Sequence, residues 1–281
     1  MPRKRVTQIF PFLLPLRKAQ RKMFYYIKMR WDHNQYAQHI MSKKLPYTIY
    51  STKSLLLNTE SGFDMKYQYN KVHNLKLAAK TINHIMIHPG ETFSFWWLVR
   101  AADKSEKYKE GLLSRDGVIV PTYGGGLCQL SNLLFELFLH SPFIIVERHG
   151  HSVESFPTEG MMSGTDATVS EGWRDLKVRN DTNVSYQLEI QFDEEHIYGI
   201  LRSEESARHV YEVFQRNQKY YKSIGKIFEK VSIWQKQTDC YTQEVTDRWL
   251  YDHVCEIGYE LPDEIKREMD AGKKEEGSQP V

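Results

Sequence analysis

The sequence predicts an α+β fold: a mixed sheet with flanking helices, in which a Gly-rich loop leads into a central helix. Three observations predict it. Strand-like and helix-like segments alternate without the regular β-α-β rhythm of a doubly wound sheet. Hydrophobic residues make up 41% of the 281-residue chain and charged residues 26%. That excludes a disordered polyelectrolyte and supplies a core, since chains near this length bury roughly three quarters of their unfolded surface. Finally, Gly124-Gly125-Gly126 runs straight into an apolar-periodic stretch, the pattern of a sharp turn feeding a helix.

The elements follow in chain order. Residues 1–30 carry Arg3, Lys4, Arg5, Arg17, Lys18, Arg21, Lys22, Lys28 and Arg30 with no acid, interleaved with Phe10, Phe12, Phe24, Tyr25 and Tyr26. Pro11 and Pro15 break the first part into a non-helical arm, and the rest can be helical to about His39. This segment reads as a solvated helix docked on the main domain, or as an anchor on an anionic membrane surface. Met65 to Ile85 reads as a helix, with Val72, Leu75, Ala79 and Ile82 spaced by three and four. Ile87 to Phe95 is a short strand broken by Pro89-Gly90. Its Phe93, Phe95, Trp96 and Trp97 form a core wedge or a stacking surface for a sugar or peptide. Gly117 to Val120 is a strand ended by Pro121. Leu130 to His140 is a helix whose Leu130, Leu134, Leu137 and Phe138 face the core, and Phe143 to Arg148 is a strand. Leu176–Arg179 and Val184–Phe192 flank Asn180-Asp181-Thr182-Asn183, the signature of a hairpin with a slightly long turn. His196–Arg202 pairs next, and Val231–Lys236 adds a late strand. The chain thus divides into a basic, aromatic helical extension (1–44), a main domain (45–200), a mixed extension packed on it (201–260) and a charged tail expected to be disordered (261–281).

With 38 basic against 36 acidic residues, no global charge argument points to nucleic acid. Cys128, Cys240 and Cys255 are odd in number and show no C-x-x-C spacing, which favours a reducing compartment over a disulfide framework or zinc knuckle. Ile9 to Leu16 is far too short to span a bilayer and holds two prolines. Arg17-Lys18 follows it where a signal peptide would have a small-residue cleavage site. A cytoplasmic protein, free or peripheral on the inner membrane face, is the expectation.

The glycine loop needs a chemical reason. It has no Gly-Lys-Ser/Thr ending and no Gly-x-Gly-x-x-Gly frame, so a phosphate loop does not fit. A nucleophile at a helix start does. Cys128 would stand where the helix dipole favours the thiolate. Gln129 and the free amides of the first turn would donate toward a developing oxyanion. The bland alternative makes Cys128 a small buried hydrophobe in a tight loop. The run Glu147-Arg148-His149-Gly150-His151-Ser152 closes the next strand, where Glu147, His149 and His151 would share a face. A strand-helix-strand layout brings this end beside the start of the helix, and a Cys–His pair follows, with one histidine as base. Asp166 orients that imidazole or merely caps a turn. A metal site using His149, His151 and an acid lacks a clear fourth ligand.

Several motifs occur here in a fixed order: His88-Pro89-Gly90-Glu91-Thr92-Phe93-Ser94-Phe95, Tyr108-Lys109-Glu110-Gly111, Gly124 to Gln129, Leu139-His140-Ser141-Pro142, Val146 to Ser152, Thr165 to Val169 and Asp175 to Thr182. Together they resemble the VanW-like family across positions 45–200. The resemblance implies a cell-envelope context accessory to glycopeptide (vancomycin) resistance, and it brings no settled reaction. It also implies that the glycine loop, Cys128 and the two histidines form one site. Three function classes result. The first is a Cys–His acyl hydrolase or transferase acting on a peptidoglycan-related small molecule or peptide. In it Cys128 is the nucleophile, His149 or His151 the base, Asp166 the orienter and Gln129 an oxyanion donor. The second is a non-catalytic module binding a peptidoglycan fragment or D-amino-acid peptide. The third is a scaffold on the inner membrane face. Gly124, Gly125, Gly126, Glu147, Arg148 and Ser152 are the expected substrate-binding residues; no cofactor, metal or nucleic acid is expected.

Overall fold

The computed structural model describes residues 11–60, 62–115, 117–154, 162–267 and 269. After a 3₁₀ turn at Pro11–Leu13 come α1 (Leu14–Trp31), β1 (Gln35–Tyr36), β2 (Tyr47–Leu55), α2 (Met65–Ile82), β3 (Met86–Ile87), β4 (Glu91–Ser94) and α3 (Phe95–Val99). Then follow β5 (Glu110–Arg115), β6 (Val118–Tyr123), α4 (Cys128–Leu139), β7 (Ile144–Glu147), β8 (Val153–Glu154), β9 (Lys177–Arg179), β10 (Tyr186–Phe192) and β11 (His196–Ser203). Three long strands close the order: β12 (His209–Ser223), β13 (Lys226–Asp239) and β14 (Val245–Ile257). The expected α+β architecture, with mixed sheets and a few helices, is what is found.

The strands form sheets β1-β4-β9-β7, β2-β11-β10-β3 and β12-β13-β14-β8, plus the hairpin β5-β6. Their shared core surrounds α4, whose Leu130, Leu133, Leu134, Phe135, Leu137, Phe138 and Leu139 are all buried. Its polar Gln129, Asn132 and Glu136 share one half-buried face and the rest of the surface is largely apolar, so the helix lies inside the molecule. It packs on β11 closely enough that a Cβ at Gly199 would touch Leu133 and Leu137. Phe93, Phe138, Phe143 and Tyr186 join the sheets through successive ring contacts. Phe93, Phe95 and Trp96 are buried, so this stretch is core; Trp97 stacks on Tyr36 and lies under the Arg100 guanidinium.

Five local expectations change. The Asn180 turn does not close a hairpin: β9 pairs with β4 and β7, whereas β10 pairs with β11 and β3. Asn180 is wholly buried, and its amide donates to Ile87 O and Val184 O. The turn is therefore a corner that hands the chain from one sheet to another. Pro121 lies within β6 and does not end it; a two-stranded hairpin leaves one side of each strand free, so the missing N–H is tolerated. Pro15 sits in the first turn of α1, where its lost N–H would be unpaired anyway. The helix ends at Trp31, and His33 turns the chain at a φ of 62°. The late strand is 14 residues long and lies between two others. The basic residues before position 11 and the tail from 270 onward lie outside the described residues.

α1 docks through one face. Tyr25 OH donates to Asp175 (2.7 Å), Tyr26 OH to Glu171 (2.8 Å), Lys22 pairs with Glu171 (2.7 Å) and Met29 is buried. Among the described residues, no helix is long and apolar enough to cross a membrane.

Candidate functional site

The glycines set where α4 begins. Gly124 N donates to Lys109 O and Gly125 N to Thr122 O, which fold the chain back sharply after β6. Gly126 has a φ of 95°, a conformation that side chains resist. At Gly125 the reason is space: a Cβ would lie 2.3 Å from the Gly111 carbonyl. Asn74 of α2, fully buried, fixes this contact by donating to Gly125 O (3.0 Å) and Lys109 O (2.9 Å) while accepting from Lys109 N (2.8 Å).

Cys128 is thus the first residue of α4, half-buried, with its sulfur 3.5 Å from Thr168 Oγ1. The His151 imidazole lies beside that sulfur, near enough for its N–H and its charge to act on the thiol. The other side of His151 faces Asp166: Nδ1 lies 2.5 Å from Oδ2, and the His151 backbone N–H donates to the same oxygen at 2.7 Å. Asp166 Oδ1 accepts from Arg148 Nη2 at 2.7 Å. The result is a relay from Cys128 through His151 to Asp166, with Arg148 behind it. Burial alone would raise the Cys128 thiol, but its bonds to His151 and Thr168, the Val169 backbone and the His151 charge bring it below its ordinary value. Burial opposes the His151 charge, yet Asp166 and Cys128 raise its pKa to about 10. Burial likewise opposes ionisation of Asp166, and His151 with Arg148 holds that carboxyl far below the usual range. The directions agree: His151 favours the thiolate at Cys128, and Asp166 favours the imidazolium at His151.

Neighbouring side chains hold the relay in register. Ser131 Oγ donates to Ala167 O (2.5 Å), and Asn132 Oδ1 accepts from Ala167 N (2.8 Å). One turn of α4 therefore grips the segment carrying Asp166 and Thr168. Arg148 donates to Asp166 O and Gly164 O and lies over the Tyr251 ring (4.7 Å). Tyr251 OH donates to Gly164 O at 3.0 Å, so β14 braces the same loop from below.

The structure separates residues that strand alternation would place together. β7 ends at Glu147, and 148–152 are irregular, so the expected common face of Glu147, His149 and His151 does not exist. His149 faces Glu147 (3.1 Å), which also accepts from Lys177 (2.9 Å) and Asp175 N (3.0 Å); only His151 joins Cys128. Glu147 and Arg148, expected to bind substrate, are both spent on internal partners. Gln129 departs from the expected oxyanion role as well: its amide nitrogen donates to Ser54 Oγ (2.8 Å) and Leu55 O (2.5 Å), tying α4 to β2. Ser152 is exposed. Thr168 was legible only as a motif member, and Ser131, Asn132 and Asn74 carried no signal of their own; their roles depend on contacts between distant segments.

A cavity of about 620 Å³ opens beside the relay, lined by His151, Asp166, Asn132, Lys71, Glu154 and His253, among others. Lys71 is half-buried with its stem against Gly126. It makes no hydrogen bond or ion pair among the described residues, and burial brings its ammonium down to about 8. Among the described residues, one group has metal-ligand spacing: Glu154, Glu229 and Cys255, with ligand atoms within 4.8 Å of one another. Glu229 already accepts from Ser163, Gln218 (2.5 Å) and Tyr220 (2.9 Å). Cys255 keeps its proton, its pKa pushed up to about 12 by burial and by Glu229. That donor set is a protein hydrogen-bond network more than a vacant ligand cage.

Residues 70–201 match the family described as VanW like protein. The chain is 48% identical over 268 residues to the Vancomycin B-type resistance protein VanW of Enterococcus faecalis strain V583, covering 94% of this chain and 98% of that one. It is 35% identical over 114 residues to the uncharacterized protein YoaR of Bacillus subtilis strain 168, covering 41% of this chain and 37% of that one. No solved structure matches it.

Proposed function

The chain belongs to the VanW-like family, and from that premise we propose that it is a Cys–His–Asp acyl hydrolase or transferase acting on a peptidoglycan-related substrate in vancomycin resistance. The observation that carries this is the Cys128–His151–Asp166 relay at a helix N-terminus beside the cavity. The Cys128 thiolate attacks an acyl carbonyl, a C–S bond forms, and the carbonyl electron pair moves onto oxygen. The backbone N–H of Cys128 makes no hydrogen bond among the described residues, so it supplies a donor for that oxyanion at the positive end of α4. His151 gives its proton to the leaving group as the tetrahedral intermediate collapses to a thioester. His151 then takes a proton from water or an acceptor amine, which attacks the thioester and returns the thiol. Asp166 fixes the imidazole tautomer throughout. Lys71, charged and without a partner among the described residues, suits an anionic group of the substrate, such as a carboxylate.

Intact-mass spectrometry after incubation with peptidoglycan-derived peptides tests this. A thioester-linked acyl adduct should appear on Cys128 and be absent from Cys128→Ala. Binding of the same peptides by wild type and Cys128→Ala alike, with neither adduct nor product, would establish the non-catalytic binding module instead.

A further inference from the structure

The second face of α1 is built for a surface that the other described residues do not supply. At about 100° per residue, Leu16, Gln20, Met23, Phe24, Ile27 and Trp31 fall within an arc of about 100°. The docked residues Lys22, Tyr25, Tyr26 and Met29 occupy the opposite arc. The exposures agree: Leu16 69%, Phe24 56% and Trp31 78%. A helix anchored by one face thus holds out a second apolar stripe from end to end. The stripe is flanked by exposed Arg17, Arg21 and Lys28 on one side and Arg30 on the other. No acid precedes Asp32 anywhere in the chain. Isolated apolar side chains on a surface need no explanation, but a continuous stripe does.

We propose that α1 lies in the interface of an anionic bilayer, with this stripe in the headgroup–acyl boundary and its basic flanks against lipid phosphates. Charge decides the occupant. A second copy of the chain would set basic flank against basic flank, whereas an anionic leaflet neutralises both. Trp31 and Phe24 are side-chain types that settle at that boundary. Because Tyr25 and Tyr26 bind Asp175 and Glu171, the helix arrives already folded. Binding then rigidly orients the main domain on the membrane without folding the helix first. The opposite arc never enters lipid, so the helix lies on the bilayer and does not cross it.

Co-sedimentation of the full chain with phosphatidylglycerol–phosphatidylcholine vesicles tests the proposal. Each basic residue near such a surface is worth about fivefold in partitioning. Binding should therefore be strong at low salt, weak on pure phosphatidylcholine, and fall at least tenfold as salt approaches about 1 M, where screening acts within about 3 Å. The variant Phe24→Ser/Ile27→Ser/Trp31→Ser should lose at least tenfold in binding while keeping the wild-type melting temperature. Arg17→Gln/Arg21→Gln/Lys28→Gln should bind weakly and with a flatter salt dependence. Unchanged sedimentation of either variant would overturn the proposal. So would full-length protein that ignores anionic vesicles at low salt. A dimer in solution that the apolar variant dissociates, with no vesicle binding, would assign the stripe to self-association and reject the bilayer.

Discussion

Replacing His151 with alanine should make Cys128 an ordinary thiol, and the size of the change follows from the relay. In the wild type the thiol lies below its usual pKa and His151 above its own. Thiolate and imidazolium therefore coexist between those two values. An opposite charge in contact is worth about 1–3 pKa units. Each unit of that support lost lowers the thiolate fraction about tenfold on the acid side of the thiol's titration. The more basic thiolate that remains is a better nucleophile by about threefold per unit, for a Brønsted slope of about 0.45. The net expectation is alkylation by iodoacetamide slowed about three- to fourfold for each unit lost on the acid side, converging with wild type in alkali. Peptide mass spectrometry of timed samples across pH 5–10 reads each cysteine separately, and exposed Cys240 serves as the internal reference. Buried Cys255 should stay unlabelled while the protein is folded. Superimposable Cys128 profiles in wild type and His151→Ala, or a Cys128 profile that tracks Cys240 in the wild type, would refute the reasoning.

Three further outcomes are expected. Lys71→Met should lower the rate ratio of iodoacetate to iodoacetamide at Cys128, about fivefold if the lost charge is worth about 1 kcal/mol to the incoming carboxylate; the wild-type ratio should itself fall as pH rises through about 8, where Lys71 loses its charge, and an unchanged ratio in the variant would remove Lys71 from the cavity's electrostatics. Gly125→Ala should cost about 1–3 kcal/mol in urea unfolding, since its Cβ meets backbone at Gly111 and not a movable side chain; a neutral alanine here would mean the two loops are not in contact. Stability should be full above the unfolded carboxylate range and fall with acid, because Glu147 is held down at about 2 by His149 and Lys177 against its burial, and Asp166 lower still. Each depressed carboxylate contributes about 1–3 kcal/mol that is lost as pH drops from about 5 toward its folded value, so urea midpoints at pH 3 and pH 6 that coincide would contradict it.

What the sequence made legible depended on how local its physics was. The start of α4 was readable because glycine conformation, helix periodicity and the dipole at Cys128 all act within a dozen residues. The partner of Cys128 could be narrowed to His149 or His151 but not chosen. That choice turns on where β7 stops: a continued strand would keep both imidazoles on one face, and the irregular backbone from 148 onward sends them to different partners. Arg148 looked like a substrate ligand because an arginine next to a histidine pair suggests recognition. Its guanidinium is instead consumed by Asp166, Gly164 and Tyr251. The last of these lies on β14, about 100 residues away and outside any motif. Of the long strands only the Val231–Lys236 stretch of β13 was legible; β12 and β14 escaped for a related reason. β12 alternates polar and half-buried residues, a weak signal that becomes a strand only when β13 pairs with it. Yet β14 supplies His253 and Cys255 to the cavity wall and Tyr251 to the Arg148 brace. The motif region therefore carries Cys128, His151 and Asp166, while residues beyond it brace Arg148 and line part of the cavity. Two chains sharing the Cys128, His151 and Asp166 segments but differing after position 205 should accordingly share thiol reactivity and differ in what the cavity accepts.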